Sequence, residues 1–178
     1  IVKNHHRPIN FFEKIEKIIK NMQDTIKQMF SNYQIFSIFK SNKRILLFLI
    51  KEKILFLDIS IVNIITNDKY SKKMYPQYLY FEIKPYISQK MQIEIDQKNQ
   101  KLIEEAESDF SLFEQKRLIG ENDNYICELI RNDEIEKFCS YVTKNNYPLA
   151  SKIPISVFET NSFLLKKEPT LIEYAAFF

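Results

Sequence analysis

Histidine and cysteine, the residue types that most often do chemistry in proteins, are scarce in this sequence. The chain has two histidines, adjacent at His5 and His6, and two cysteines, Cys127 and Cys139. Adjacent histidines point in different directions on any regular element, and no further ligand lies near them at metal-binding spacing. A thiol nucleophile needs a base, and the sequence offers no histidine beyond this pair. We therefore predict a polar entry loop, small buried thiols, and no catalytic or metal-binding residue.

The densest group of carboxylates is Glu104, Glu105, Glu107 and Asp109. Carboxylates that act as an acid–base pair need burial to separate their pKa values, and this stretch is the most polar in the chain. It is expected to be a solvated helix face or loop. The chain also contains a single glycine, which argues against Gly-rich phosphate loops and dinucleotide-binding turns. We therefore expect no enzyme and no bound cofactor.

A cluster of basic residues offers an alternative function, the binding of nucleic acid by a basic helical module. The formal net charge is only +3, and lysines and glutamates are interspersed along most of the chain. The helical register also points most aromatic rings inward, whereas stacking on bases requires exposed rings. The residues that would carry this alternative are Lys40, Lys43, Arg44, Lys51 and Lys53, beside Phe48 and Phe56.

Tyrosines are concentrated between residues 70 and 86. Aromatic residues of this kind are enriched at protein interfaces, where the ring packs and the hydroxyl keeps a hydrogen bond. They also serve as ordinary core residues of helical proteins, so the stretch is either a contact surface or part of the core. The residues concerned are Tyr70, Tyr75, Tyr78, Tyr80 and Tyr86.

The elements that would position all these residues are helical. Residues 124–144 read as two short antiparallel helices joined by a turn at Asn132 and Asp133, because apolar residues recur at i, i+3 and i+4. Asp133 and Glu136 have the spacing of a capping box that would restart the second helix. Helices this short are marginal alone, so the pair must stack on neighbouring pairs. The two apolar stripes are Ile126, Leu129 and Ile130, then Ile135, Phe138, Tyr141 and Val142.

Other segments follow the same pattern. A long amphipathic helix is predicted from Asn10 to about Ser31, and Asp58 or Ser60 is expected to cap a helix that ends near Thr66. Asp109 is expected to cap another helix, with Gly120 at its left-handed exit. No apolar run reaches the ~18–20 residues of a membrane span. The chain begins with Ile and ends within an element, so we expect a fragment of a longer protein.

Residues 170–176, TLIEYAA, resemble the opening of an ankyrin-repeat helix, written T-P-L-H-x-A-A. Thr170, Ile172, Ala175 and Ala176 match in register, while Leu171 replaces the proline and Glu173 the histidine. In that family the two alanines allow close helix approach, and the threonine and histidine satisfy backbone groups at the helix start. The central hairpin is similar to the same template less closely, with Leu129 and Ile130 in place of the paired alanines.

As a whole, the chain resembles the N-terminal region of the ankyrin-repeat protein family of trichomonad parasites. The stretches that carry the resemblance are SNYQIFSIFKSNKRILLFLI, IGENDNYICELIRND and SVFETNSFLLKKEPTLIEYAAFF. In such proteins a divergent helical region precedes more regular ankyrin units, and the resemblance implies protein contacts and no catalytic activity for that region.

These observations predict an all-α fold, a solenoid of helical hairpins with divergent ankyrin-like repeats. The expected divisions are an N-terminal long helix (1–32), divergent hairpins (33–90), a polar linker or insertion (91–109), and ankyrin-like repeats truncated at the C-terminus (110–178). The expected function is a non-catalytic protein-interaction scaffold. Its partner would be a protein that the sequence does not identify, with no membrane contact, and the sequence assigns no partner-binding residue.

Overall fold

The computed structural model describes residues 11–67 and 74–178. The fold is all-α, and within the described residues the only β-type pairing is an isolated antiparallel bridge between Lys152 and Thr170. The chain divides into two compact units, one within Ile9–Ile119 and the other including Gly120–Phe178. Each unit has its own buried apolar residues and is described separately.

The first unit contains nine α-helices in its described part, together with a short 3-10 turn at Lys84–Tyr86. Helices that are neighbours along the chain make much of the packing, as α3 does with α4 and α8 with α9. The helices are α1 (Phe11–Asn21), α2 (Gln23–Met29), α3 (Asn32–Phe39), α4 (Lys43–Lys51), α5 (Ile59–Thr66), α6 (Tyr75–Tyr78), α7 (Tyr80–Ile83), α8 (Gln89–Ser108) and α9 (Phe110–Ile119).

The predicted long N-terminal helix is interrupted at Met22, whose φ of −100° and ψ of 7° end α1 and begin α2. This break disrupts the continuous apolar face that the sequence predicts. Phe12 and Ile19 are buried, but Met22 and Met29 are exposed, and α2 buries no residue. The spacing of apolar residues therefore predicts that this segment is helical, but it does not predict the interruption at Met22.

In its described residues the second unit contains four helices: α10 (Tyr125–Arg131), α11 (Ile135–Lys144), α12 (Ser162–Lys167) and α13 (Leu171–Ala175). Helices α10 and α11 form the predicted hairpin, and α10 also packs against α13. The extended connection from α11 to α12 is held by backbone hydrogen bonds from Ile153 to Pro169 (3.0 Å) and from Leu171 to Ser151 (3.0 Å). The buried residues of this core are Ile126, Cys127, Ile153, Leu164, Leu171 and Tyr174.

Several helix ends follow directly from local chemistry. The Asp58 carboxylate accepts a hydrogen bond from the Ile61 amide (2.9 Å) at the start of α5, and Asp109 does the same for Leu112 (2.9 Å) at α9. Asp109 is the predicted cap of α9, and of the two candidates for α5, Asp58 and Ser60, it is Asp58 that caps the helix. In both cases a short acceptor side chain satisfies an amide that the helix leaves free. Gly120, with a φ of 71°, leaves α9 in the predicted left-handed conformation.

The predicted capping box at Asp133 and Glu136 is wrong. Asp133 has a φ of 55°, and the residue preceding α11 is Glu134, which makes no side-chain cap hydrogen bond. Asp133 instead completes the end of α10, where the Asp133 amide donates to Ile130 (3.2 Å) and the Glu134 amide to Leu129 (2.9 Å). This left-handed exit satisfies the last carbonyls of α10, and it uses the same residue that would otherwise cap α11.

Candidate functional site

Of the residues considered for thiol or metal chemistry, the structure describes the two cysteines. His5 and His6 lie outside the described residues. Cys127 is buried as predicted, whereas the prediction of a buried thiol is wrong for Cys139, which is exposed; neither cysteine forms a disulfide. Burial raises the pKa of the Cys127 thiol to about 12, which disfavours the thiolate that a nucleophile requires.

The acidic stretch lies on the exposed side of α8 and just after it. Glu104, Glu105, Glu107 and Asp109 are all exposed, and Asp109 serves as the cap of α9. Among the described residues no group of three or more histidine, cysteine, aspartate or glutamate side chains is placed to hold a metal ion.

The basic residues of the nucleic-acid alternative are divided between the core and the surface. Lys43 is 1% exposed and Arg44 is 9% exposed. The Arg44 guanidinium pairs with Glu16 (3.1 Å) and lies 4.2 Å from the centre of the Phe12 ring. Lys51 pairs with Glu114. The cluster therefore does not present a continuous basic surface, and two of its cations are part of the packing of the first unit.

The most deeply buried cation, Arg117, was not identified from the sequence. Its side chain is fully buried and makes a bidentate ion pair with Glu82 (2.8 and 2.9 Å). It also pairs with Glu114 and donates to the Tyr78 carbonyl (2.9 Å), while the Tyr78 hydroxyl donates back to the Arg117 carbonyl (2.8 Å). Burial and the Arg117 charge lower the pKa of Lys51. This network links α6, α7 and α9. Both terminal nitrogens of the Arg117 guanidinium are engaged in it, while the buried Arg117 Nε has no hydrogen-bond partner.

The tyrosine-rich stretch belongs mostly to the core. Tyr75, Tyr78 and Tyr80 are each no more than 2% exposed, whereas Tyr86 is 46% exposed. The hydroxyls of the buried tyrosines still find acceptors, as Tyr75 does at the Lys40 carbonyl (2.7 Å). Tyr70 lies outside the described residues. These three tyrosines are therefore part of the core and not of a contact surface.

The second unit has a groove with a mixed apolar and charged lining. It encloses about 450 Å³ beside the turn of the α10–α11 hairpin and the C-terminal end of α13. It is lined by Leu129, Ile130, Arg131, Asp133, Glu134, Ile135, Phe138, Ala175 and Phe178. We call this feature the hairpin groove. Its volume falls in the range of ~300–1,000 Å³ that is usual for ligand-binding clefts.

Two sets of contacts hold the walls of the hairpin groove. The left-handed exit at Asp133 fixes the turn between α10 and α11, so Asp133 and Ile135 stay at the rim. The Arg131 guanidinium pairs with Glu121 (2.7 Å) and donates to the Asn122 carbonyl (2.7 Å) and to the Tyr174 hydroxyl (2.8 Å). Burial alone would lower the pKa of Arg131, but Tyr174 and Glu121 raise it. The charged Arg131 side chain therefore links α10 to α13 through its hydrogen bond to Tyr174.

The third wall, α13, begins with a capping box. The Thr170 hydroxyl accepts from the Glu173 amide (3.3 Å), and the Glu173 carboxylate accepts from the Thr170 amide (2.8 Å). Glu173 stands where the ankyrin pattern has histidine, and it satisfies the helix start by this reciprocal pair. The Thr170 amide and the Thr170 hydroxyl (3.0 Å) both donate to this carboxylate, and these two hydrogen bonds lower the pKa of Glu173.

The buried positions of α13 differ from those of the ankyrin pattern. Leu171 and Tyr174 are buried, while Ile172 is 57% exposed and Ala175 and Ala176 are exposed. In the hairpin, Ile126 and Leu129 are buried as expected, but Ile135 is 64% exposed and α11 has no buried residue. The predicted second stripe is therefore only partly covered, and Ile135 is left at the groove rim.

Within the part of the chain that the structure describes, no helix combines the length and apolarity that crossing a membrane requires. Fold and site together define an all-α protein with a groove lined by apolar residues and by Arg131, Asp133 and Glu134. Neither a protein-family model, nor a curated protein, nor a solved structure matches the chain.

Proposed function

We propose that this protein is a non-catalytic protein-interaction scaffold built from divergent ankyrin-like helical hairpins, and that the hairpin groove is a contact site. The observation that carries the proposal is an apolar groove whose exposed rim residue, Ile135, leaves a large aliphatic side chain 64% accessible. Exposed apolar concavities with a polar rim are typical of sites that bind proteins.

The packing of the second unit supports the ankyrin-like part of the proposal. A 7-residue helix and a 10-residue helix form the hairpin, and the first of them packs against α13. Contact between equivalent helices of successive units is what stacking of hairpins produces. The spacing is divergent, because 46 residues separate Asn124 from Thr170, against about 33 in a regular ankyrin repeat. The added length includes α12.

Non-catalytic function is part of the same proposal. The buried thiol has a raised pKa, and the buried cations are engaged with carboxylates and aromatic rings. The described residues include no histidine, the commonest base of a nucleophile–base–orienter set. The burial of Lys43 and Arg44 disfavours the nucleic-acid alternative.

The test is a display selection with helical peptides of unbiased charge against the purified protein. Selected peptides are then measured against Ile135→Asp, which adds a charge at the groove rim, and against Ile172→Asp, the same change at a comparably exposed position outside the groove. We expect peptides that bind the wild type and Ile172→Asp and lose binding to Ile135→Asp. If every selected peptide binds all three proteins equally, the groove is not a contact site.

A further inference from the structure

The hairpin groove combines an apolar floor with charged residues at one edge. Leu129 is 2% exposed and Ile130 and Phe138 are half-buried, and they provide a surface that aliphatic side chains can cover. On the opposite wall, the small side chain of Ala175 leaves room for a ligand. Grooves of this kind receive the apolar face of an amphipathic helix, with side chains at i, i+3, i+4 and i+7.

The charges at the edge are not equivalent. Arg131 is committed to Glu121, the Asn122 carbonyl and the Tyr174 hydroxyl. Glu134 is paired with Lys137. Asp133 is exposed, and among the described residues that line the groove it is the ionisable one for which no ion pair forms. The groove therefore offers an incoming ligand a free negative charge, while its one lining cation is already neutralised.

We propose that the hairpin groove selects a basic amphipathic helix: aliphatic side chains on one face enter the groove, and lysine or arginine flanking them meets Asp133. This inference rests on the proposed function and specifies its partner class. An acidic helix would place negative charges beside Asp133. The resulting repulsion disfavours binding of acidic partners. The basic groups also raise the association rate at low salt.

The experiment uses two dye-labelled, amidated peptides of about four helical turns with leucine at i, i+3, i+4 and i+7. One carries lysine at the remaining positions and the other carries glutamate. Fluorescence anisotropy against the full chain gives the two dissociation constants. The lysine peptide is expected to bind roughly tenfold more tightly or better, with a preference that decreases as salt rises. Equal binding, or tighter binding of the glutamate peptide, overturns the proposal.

Substitutions then assign the preference to one residue. Asp133→Asn removes the charge and keeps a side chain that tolerates the left-handed conformation. It is expected to weaken binding of the lysine peptide about two- to fivefold, the range for an exposed ion pair. Glu128→Gln makes the same charge change at an exposed position of α10 that does not line the groove, and it should leave the affinity unchanged. If both variants weaken binding equally, the effect comes from net charge and not from the groove.

The outcomes separate this inference from the proposed function. Groove-dependent peptides without an excess of basic residues would preserve the contact site and refute the basic partner. Concentration-dependent dimerisation that Ile135→Asp abolishes would show a second copy of the chain as the occupant and would also refute it. If Ile135→Asp affects neither peptide binding nor association, both proposals fail together.

Discussion

The buried thiol of Cys127 makes the stability of the second unit sensitive to alkaline pH. Cys127 is inaccessible to solvent, and burial raises the pKa of its thiol from 9.0 to about 12. Between about pH 9 and about pH 12, Cys127 therefore keeps its thiol proton in the folded state and loses it in the unfolded chain. Stability from this group is fully present below about pH 9 and is lost as pH rises towards about 12.

The size of the effect follows from the two pKa values. At about pH 10 the unfolded thiol is mostly ionised and the folded thiol is not, which lowers the free energy of unfolding by about 1.4 kcal/mol relative to neutral pH. Burial also raises the pKa of the Tyr174 hydroxyl, so Tyr174 adds a loss of its own from about pH 10 upward. The wild type and Cys127→Ala both contain Tyr174, so most of the Tyr174 contribution cancels when their stabilities are compared.

The assay is urea denaturation followed by far-ultraviolet circular dichroism at about pH 7.5 and about pH 10, with wild type and Cys127→Ala. Wild type should be more stable at neutral pH, because Cys127→Ala leaves space in the core. That advantage should shrink by about 1.4 kcal/mol at the higher pH, because alanine does not titrate. Cys139→Ala, which removes an exposed thiol, is the matched control. A wild-type advantage that does not change with pH would contradict the burial of Cys127 beneath α13.

Three further predictions concern local stability. Arg117→Met is expected to destabilise the first unit by about 3–5 kcal/mol because Glu82 loses its partner; Gln115→Met on the exposed side of α9 is the control, and equal melting temperatures would refute the network. Lys53 has a φ of 56°, so Lys53→Gly should stabilise the first unit by about 0.5–1 kcal/mol and Lys53→Val should destabilise it; the opposite order in urea denaturation would exclude the left-handed conformation. Thr170→Ala should cost about 1 kcal/mol in the same assay while Thr170→Ser costs much less, and equal losses would argue against the cap.

Local chemistry made several features predictable from the sequence. Asp58 and Asp109 cap helices because aspartate can accept from an amide three residues ahead, whatever the rest of the fold does. Gly120 takes the left-handed exit because glycine has no Cβ to clash there. The all-α class follows from the spacing of apolar residues over many short segments. Each of these inferences depends on residues close together in the chain.

Features that depend on distant residues could not be predicted. Arg117 is buried because Glu82 and the Tyr78 carbonyl reach it from other helices, and nothing next to Arg117 in sequence distinguishes it from a surface arginine. Lys43 and Arg44 were likewise predicted to lie on a basic surface, because their local sequence does not show that they are buried. At Asp133 two local rules competed, and the left-handed exit of α10 prevailed over the cap of α11 because it satisfies two carbonyls.

The hairpin groove itself required the structure, because its third helix, α13, follows the α10–α11 hairpin only after α12 and a long connection. The exposure of Ile135 also departs from the helical pattern. Sequence periodicity placed Ile135 in the covered stripe with Phe138. The packing leaves it at the rim instead.

Hydrogen–deuterium exchange of the protein with a groove-selected peptide measures the proposed contact most directly. The account predicts that the bound peptide slows amide exchange in residues 129–138 and 175–178 and leaves Lys43–Lys51 unchanged, with no slowing in Ile135→Asp. Slowed exchange confined to other segments, or the same slowing in Ile135→Asp, would contradict the hairpin groove as the contact site.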